Sequence, residues 1–204
     1  MKLYDAAVAP NPRRVRWVMA EKSITDIEVV RLNMAEGQHK TDEFLTRTDG
    51  FVGLPILETK DGTTLTESLA ICRYLESLYP EPNLFGRTAE EVAIIEMWTR
   101  RVELLVAHPL MIGVRHLSPM LASLEQQDAA FGDRNRDLGI KALTLLNQRL
   151  THRDWIAADR LTIADIVAFV GLDFTRLIRL VLPENLVEAA RWADMMRERP
   201  AARA

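Results

Sequence analysis

Three short stretches of this chain carry residue types that could do chemistry together. The first is Asn11-Pro12, at the start of a helical pattern. Asn is a favoured helix cap, and Pro suits the first helical position. A carboxamide beside a positive helix end can also hold a thiolate, because helix N-termini lower thiol pKa values. The second is Leu54-Pro55, just ahead of a strand. Proline lacks a backbone donor, and its preceding bond can be cis. A cis bond there would turn the Leu54 backbone outward, towards an extended peptide; an ordinary edge-strand proline is the plain alternative. The third is Thr66-Glu67-Ser68, between a strand and a helix. Free amides and the helix dipole favour an anion at that place. A carboxylate would accept from the Ser68 amide and hydroxyl, and Glu67 would hold an ammonium group. Simple capping by Thr66, with Glu67 in the first turn, accounts for the same residues.

The elements that must position these stretches alternate over the first eighty residues or so. Lys2 to Tyr4 reads as a strand. Pro12 to Lys22 reads as a helix, with Val15, Val18 and Met19 on one face. Ile27 to Leu32 is a second, β-branched strand. A short irregular helix covers Gly37 to Arg47. Pro55 to Glu58 and Thr63 to Leu65 are strands joined by the turn Lys60-Asp61-Gly62. Glu67 to Tyr79 is a helix with Leu69, Cys72, Leu75 and Tyr79 at helical spacing. The order is βαβ, a helix, then ββα.

Pro80-Glu81-Pro82-Asn83-Leu84-Phe85-Gly86 cannot continue a helix. The expected division is therefore 1–79 as a first domain, 80–87 as a linker and 88–204 as a second domain. Strand signals nearly vanish after the linker. Helices are expected over Thr88 to His116, bent near Pro109, and over Gln126 to Leu150, with Leu138, Leu145 and Leu146 as apolar positions. Two more cover Thr162 to Leu180 and Asn185 to Arg197, which makes a helical bundle. Thr162 and Asp165 have the spacing of a capping box, with Leu161 and Ile166 at the staple positions.

Composition excludes several function classes. The formal net charge is −3, so nothing global points to nucleic acid or an anionic membrane. No apolar run has the length of a membrane span, and no signal-peptide core precedes the first strand. One cysteine, Cys72, permits no intrachain disulfide and no thiol-rich zinc site. Cys72 lies on an apolar stripe and reads as a core thiol. His108, His116 and His152 have no metal spacing. Arg13, Arg14 and Arg16 read as a solvated helix face. Arg100, Arg101, His108 and Arg115 fit a second-substrate cleft or plain surface equally well. A reducing cytoplasm is the expected compartment.

Taken together, Leu54-Pro55-Ile56-Leu57-Glu58, Leu65-Thr66-Glu67-Ser68-Leu69-Ala70-Ile71-Cys72-Arg73-Tyr74-Leu75, the linker Tyr79-Pro80-Glu81-Pro82-Asn83-Leu84 and Leu161-Thr162-Ile163-Ala164-Asp165-Ile166 resemble the glutathione S-transferase family. The resemblance covers essentially the whole chain. It implies an α/β thioredoxin-like N-terminal domain and an all-α C-terminal bundle. It also implies a cytosolic homodimer acting in detoxification, with glutathione as co-substrate and no metal. Leu54, beside Pro55, would pair with the cysteinyl backbone of glutathione. Glu67 and Ser68 would hold the γ-glutamyl end. His39 and Lys40 stand where members contact the glycyl end; as residues alone they read as an exposed polar pair on a helix.

The chain departs from the family pattern in two places. Many members place Ser, Cys or Tyr near the start of the first helix to activate the thiol. Here that segment reads Ala6-Ala7-Val8-Ala9-Pro10-Asn11-Pro12, and Ala9 has no hydrogen to donate. Some bacterial subclasses carry an Asn at this point, which makes Asn11 the expected catalytic residue, with Ala9 lining the site. An Asn-Pro-x-Gly-like turn is usual before the proline; this chain has Thr48-Asp49-Gly50-Phe51-Val52-Gly53. The expected activity is thiolate attack on a small electrophile lying between the domains. A glutathione-dependent disulfide reductase or peroxidase, and a non-catalytic binding protein, are the alternatives.

Overall fold

In the computed structural model, which describes residues 1–204, Met1–Pro82 and Asn83–Arg203 form two compact units. The first contains β1 (Lys2–Asp5), α1 (Pro10–Glu21), β2 (Glu28–Arg31), α2 (Asp42–Arg47), β3 (Ile56–Glu58), β4 (Thr64–Leu65) and α3 (Ser68–Leu78). The strands make one sheet in the order β2-β1-β3-β4. β1 runs parallel to β2 and antiparallel to β3, with Leu3 opposite both Val29 and Leu57. β3 and β4 pair antiparallel around Gly62, whose φ of +85° suits glycine. Leu3, Ile56, Leu57, Val15, Trp17, Val18, Ile71, Cys72 and Leu75 form the buried core. Burying each large apolar side chain stabilises the unit by about 1.5–3 kcal/mol.

Two buried charges tie these elements together. Lys22, at the end of α1, donates to the carbonyls of Tyr79 and Pro82 at 2.7 Å each and pairs with Glu76 at 2.7 Å. It thereby holds the last turn of α3 and the chain that follows. The other is Arg16, described below. The expected single helix over Gly37 to Arg47 is two pieces: a 3₁₀ turn, Gln38–Lys40, and α2, which Thr41 starts afresh by capping the Phe44 amide.

The second unit is helical: α4 (Ala89–Val102), α5 (His108–Leu117), α6 (Ala129–Leu150), α7 (Ile163–Phe174) and α8 (Val187–Glu198). The expected bend near Pro109 is a π-helical turn, Glu103–Ala107, joining α4 to α5. Proline has no amide to give the carbonyl four residues back, and its ring presses on that turn, so the helix widens locally. Leu138 and Leu145 are not core positions: they are 58% and 43% exposed. The buried seam of α6 is Gly132, Gly139, Leu143, Leu146 and Leu150. A Cβ on Gly139 would lie 2.6 Å from Leu110 Cγ. Close approach of α5 and α6 therefore selects glycine, which a hydrophobic pattern does not register.

α7 is the most buried helix. At its start the Thr162 amide and hydroxyl donate to Asp165 Oδ2 at 3.0 and 2.9 Å, within a reciprocal capping box. The fully buried Asp165 also accepts from the Ile156 amide and from Trp192 Nε1.

Candidate functional site

α1 begins two residues earlier than its pattern suggested. Ala9 is the N-cap, with φ −75° and ψ 135°, and Pro10 takes the first helical position. Asn11 is therefore the second residue of the helix and does not cap it, which removes the capping alternative. Ala9 has no side chain to cap with. Pro10 and Pro12 carry no amide hydrogen, and the Arg13 amide already bonds the Ala9 carbonyl. The orphan backbone donors of this first turn thus reduce to one, the Asn11 amide. Above it, Asn11 Oδ1 is buried with no hydrogen-bond partner. A carboxamide offers both an acceptor and donors. A thiol can donate to its oxygen, and a thiolate can accept from its NH₂ and from the Asn11 main chain.

The turn into α1 is held from beneath. Arg14 and Arg16, expected on a solvated face, are only 3% and 8% exposed. Arg16 pairs with fully buried Asp5 at the end of β1, and its guanidinium donates to the carbonyls of Ala6 (3.4 Å) and Ala7 (3.1 Å). Burial pulls the Arg16 pKa down, against the opposing attraction of Asp5. Arg14 Nη1 reaches Ser68 Oγ at 3.4 Å and so links α1 to the start of α3. Neither role was legible in the local pattern. The available signal was that Arg14 and Arg16 flank Val15 inside an apolar stripe, and that Asp5 directly follows the apolar pair Leu3-Tyr4 of its strand.

Leu54-Pro55 is a cis bond. Leu54 is buried, and neither its amide nor its carbonyl bonds another backbone group. Its side chain joins Tyr4, Ala6, Phe44 and Ile56 in a cluster on which Ala9 also packs. That cluster brings the turn before α1 and the turn before β3 together. The loop ahead of Leu54, where the glycines depart from the expected pattern, is closed by the Thr48 hydroxyl donating to the Phe51 carbonyl at 2.8 Å.

Glu67, and not Thr66, is the N-cap of α3, and no side chain caps the helix. Glu67 sits at φ +66° and ψ 117°. A non-glycine residue held there costs on the order of 1–3 kcal/mol and is typical of functional sites. The Ile71 amide bonds the Glu67 carbonyl, which leaves the amides of Ser68, Leu69 and Ala70 as the free donors of the first turn. Ser68 is 3% exposed, whereas Glu67 is exposed.

His39 and Lys40 are not an exposed pair. His39 is buried in the 3₁₀ turn, with Nδ1 unpaired, while Lys40 is exposed. Burial, with Lys40 adding to it, lowers the His39 pKa and favours the neutral ring. Tyr4 is committed elsewhere: its hydroxyl accepts from Arg47 at 2.8 Å and donates to Glu58 at 3.3 Å. Cys72 is a core thiol, pushed up to about 12 by burial.

Comparison with known proteins follows the same division. Residues 3–83 match the family described as glutathione S-transferase, N-terminal domain, and residues 107–200 match glutathione S-transferase, C-terminal domain. Glutathione S-transferase 2 of Saccharomyces cerevisiae is 34% identical over 98% of this chain and 87% of its own length. The crystal structure of Gtt2 from Saccharomyces cerevisiae superposes with a TM-score of 0.89, at 33% identity and 98% coverage of both chains. A structure of glutathione S-transferase-I bound with lactoylglutathione gives a TM-score of 0.81 at 27% identity, covering 98% of this chain and 95% of that one. The four-stranded α/β unit, the helical unit and these matches together show that the chain belongs to the glutathione S-transferase family.

Proposed function

We propose that this chain is a glutathione transferase that holds glutathione along the first unit and stabilises its thiolate with Asn11. One observation carries the reading. Two helices, α1 and α3, start with free donors and no side-chain cap, and both lie beside the unpaired backbone of Leu54 or the charge of Arg14. An extended thiol tripeptide, with a carboxylate at one end for α3 and a central sulfur for α1, supplies what each place lacks. Its cysteinyl backbone pairs with Leu54, beside Pro55. Its γ-glutamyl carboxylate accepts from the amide and hydroxyl of Ser68, with the Arg14 guanidinium behind, and Glu67 takes the ammonium. The glycyl carboxylate accepts from Lys40, with neutral His39 adjoining. Ala9 leaves room for the sulfur next to Asn11. A glutathione S-transferase-I of similar fold has lactoylglutathione bound, which supports a glutathione-type ligand here.

The chemistry asked of the protein is modest. The thiol loses its proton to solvent, and the thiolate's electron pair forms the new bond to an electrophilic carbon. A leaving group departs with its own electron pair, or the electrons move onto the electrophile in an addition. Thiolate is the reactive form, so lowering the thiol pKa raises the rate. Asn11 offers donors to the developing anion, as oxyanion donors do, and removing one such donor costs about 10²-fold or more. The chain works as a homodimer in the cytoplasm under this reading, with an electrophilic small molecule as second substrate.

Ala9 favours a second reading, since a glutathione-binding protein without an activating hydroxyl could have lost catalysis. Thermal shift with glutathione, followed by conjugation and disulfide-reduction assays, separates the two. We expect a shift of several degrees with saturating glutathione, and turnover that falls about 100-fold or more in Asn11→Ala with little change in glutathione affinity. Absence of any shift removes the glutathione site as described. A shift without turnover selects the non-catalytic protein, and turnover unchanged by Asn11→Ala removes the thiolate role.

A further inference from the structure

We infer that the buried Asp5–Arg16 pair is a positioning device: it sets the turn Ala6–Ala9 and through it the direction in which Asn11 faces the sulfur. The inference rests on the function proposed above for Asn11. Two small methyls, those of Ala6 and Ala9, pack this turn on the Leu54 cluster, and it has no polar side chain of its own to fix its carbonyls. Its residues are Ala6, Ala7, Val8 and Ala9, none with a side-chain donor or acceptor. Val8 is 53% exposed and Ala7 is exposed, so neither side chain anchors the turn in a core. A single backbone bond closes it, from the Ala9 amide to the Ala6 carbonyl at 3.1 Å.

Arg16 supplies the missing grip. It lies one and a half turns into α1, and its side chain runs back under the helix start. One nitrogen, Nη1, pairs with Asp5 and reaches the Ala6 carbonyl, while Nη2 takes the Ala7 carbonyl. Asp5 is itself fixed, because its own carbonyl accepts from the Leu32 amide at 2.8 Å beside β2. The guanidinium therefore connects the sheet to two successive carbonyls of the turn, with donors spread in a planar fork. A lysine offers one nitrogen and cannot span the same three acceptors in that plane.

Burying two charges is a costly way to stabilise a fold, since packed apolar residues of similar size often serve as well or better. What apolar residues cannot do is hold carbonyls. Two hydrogen bonds to the turn are the part of this arrangement that stability alone does not explain. Asn11 follows Ala9 by two residues at the rigid start of a helix with proline on either side. A tilt of the turn thus moves the carboxamide as a body, and small misplacements of a catalytic group are expensive in rate.

The test uses the full-length protein in two variants, Arg16→Lys and the apolar double replacement Asp5→Leu with Arg16→Met. The second keeps the site filled without leaving a lone buried charge. We expect both to bind glutathione within about threefold of the parent, because Leu54, Glu67 and Ser68 are untouched. We expect turnover to fall about 10–100-fold and the ultraviolet thiolate absorbance of bound glutathione to drop at constant pH. Hydrogen exchange at the Ala9 amide, measured without ligand, should quicken at least tenfold, whereas exchange in the β1–β3 ladder stays slow. That last readout does not need the enzyme to be active. Faster Ala9 exchange in a protein that lacks turnover keeps the lock and removes the transferase reading. Parental exchange at Ala9, or parental turnover and thiolate absorbance in either folded variant, overturns the inference. If Arg16→Lys alone fails to fold, the double replacement decides.

Discussion

In the helical unit, side chains close the helix starts. Thr88 accepts from the Glu91 amide at α4, Asp128 from the Phe131 amide at α6, and Asp165 from Thr162 at α7. α8 is capped from a distance: Asn147 of α6 accepts from the amides of Glu188 and Ala189 at 2.9 and 3.0 Å. α5 has no free start, because the π turn feeds directly into it. In the first unit only α2 is capped, by Thr41, while α1 and α3 stand open. Asn11 Oδ1 and His39 Nδ1 are buried and unpaired there, and no buried side-chain polar atom of the helical unit lacks a partner. A side-chain cap stabilises a helix by about 0.5–2 kcal/mol. Forgoing it at two neighbouring helices, next to strained Glu67, is what the glutathione site proposed above requires.

The contrast breaks first at Asp165. Its carboxylate satisfies four buried donors, from Ile156, Thr162 (twice) and Trp192. Asp165→Ala should cost about 3–5 kcal/mol in urea unfolding at neutral pH, because those donors lose their acceptor together. Burial, the largest influence, raises the carboxyl from 3.8 to about 6 despite the four donors. A raised carboxyl favours the folded state while protonated. That contribution is complete below about pH 4 and is lost as pH rises through 6, about 3 kcal/mol in all. Asp165→Asn does not titrate, so wild-type stability should fall relative to it across that window. A constant difference between the two from pH 4 to 7 would contradict the assignment. Asn147→Leu comes next, at about 1–2 kcal/mol, through loss of the two amide bonds that start α8. Neither change should alter glutathione affinity measured calorimetrically on the folded protein.

The sequence marked most strands and helices, left the start of α3 between a Thr66 cap and an open end, and missed how α1 is built. Alternation, the Lys60-Asp61-Gly62 turn and the two-proline linker are local signals, and each element they marked exists within a few residues. The Thr162–Asp165 box was equally local. The missed features depend on distant partners. Arg14 and Arg16 looked solvated because no local rule says that Ser68 or Asp5 awaits them. Asn11 looked like a cap because Pro12 suits a first position, yet Pro10 suits it as well, and the earlier proline took it. Leu138 and Leu145 outscored Gly132 and Gly139 because glycine contributes by its absence of volume. Positions 54, 67 and 68 stood out through the family resemblance alone, and it is there that the structure has the Leu54-Pro55 cis bond and the positive φ of Glu67.

The sharpest form of the comparison is to give α1 the cap that the helical unit's helices have. Ala9 already holds the N-cap conformation, and the Asn11 amide, two residues on, is the donor that a cap would take. Ala9→Asp places an acceptor against that amide and a negative charge at the positive helix end. The expected gain is about 0.5–1 kcal/mol, read as a small rise in melting temperature without ligand. The same carboxylate would occupy the donor reserved for sulfur and repel a thiolate, so turnover should be lost and the stabilisation by glutathione should shrink. Stability and ligand binding would then move in opposite directions at one position, as they do where a fold keeps a site open at its own expense. A variant that gained stability and kept full thiolate absorbance would show that the start of α1 is open for some reason other than the sulfur.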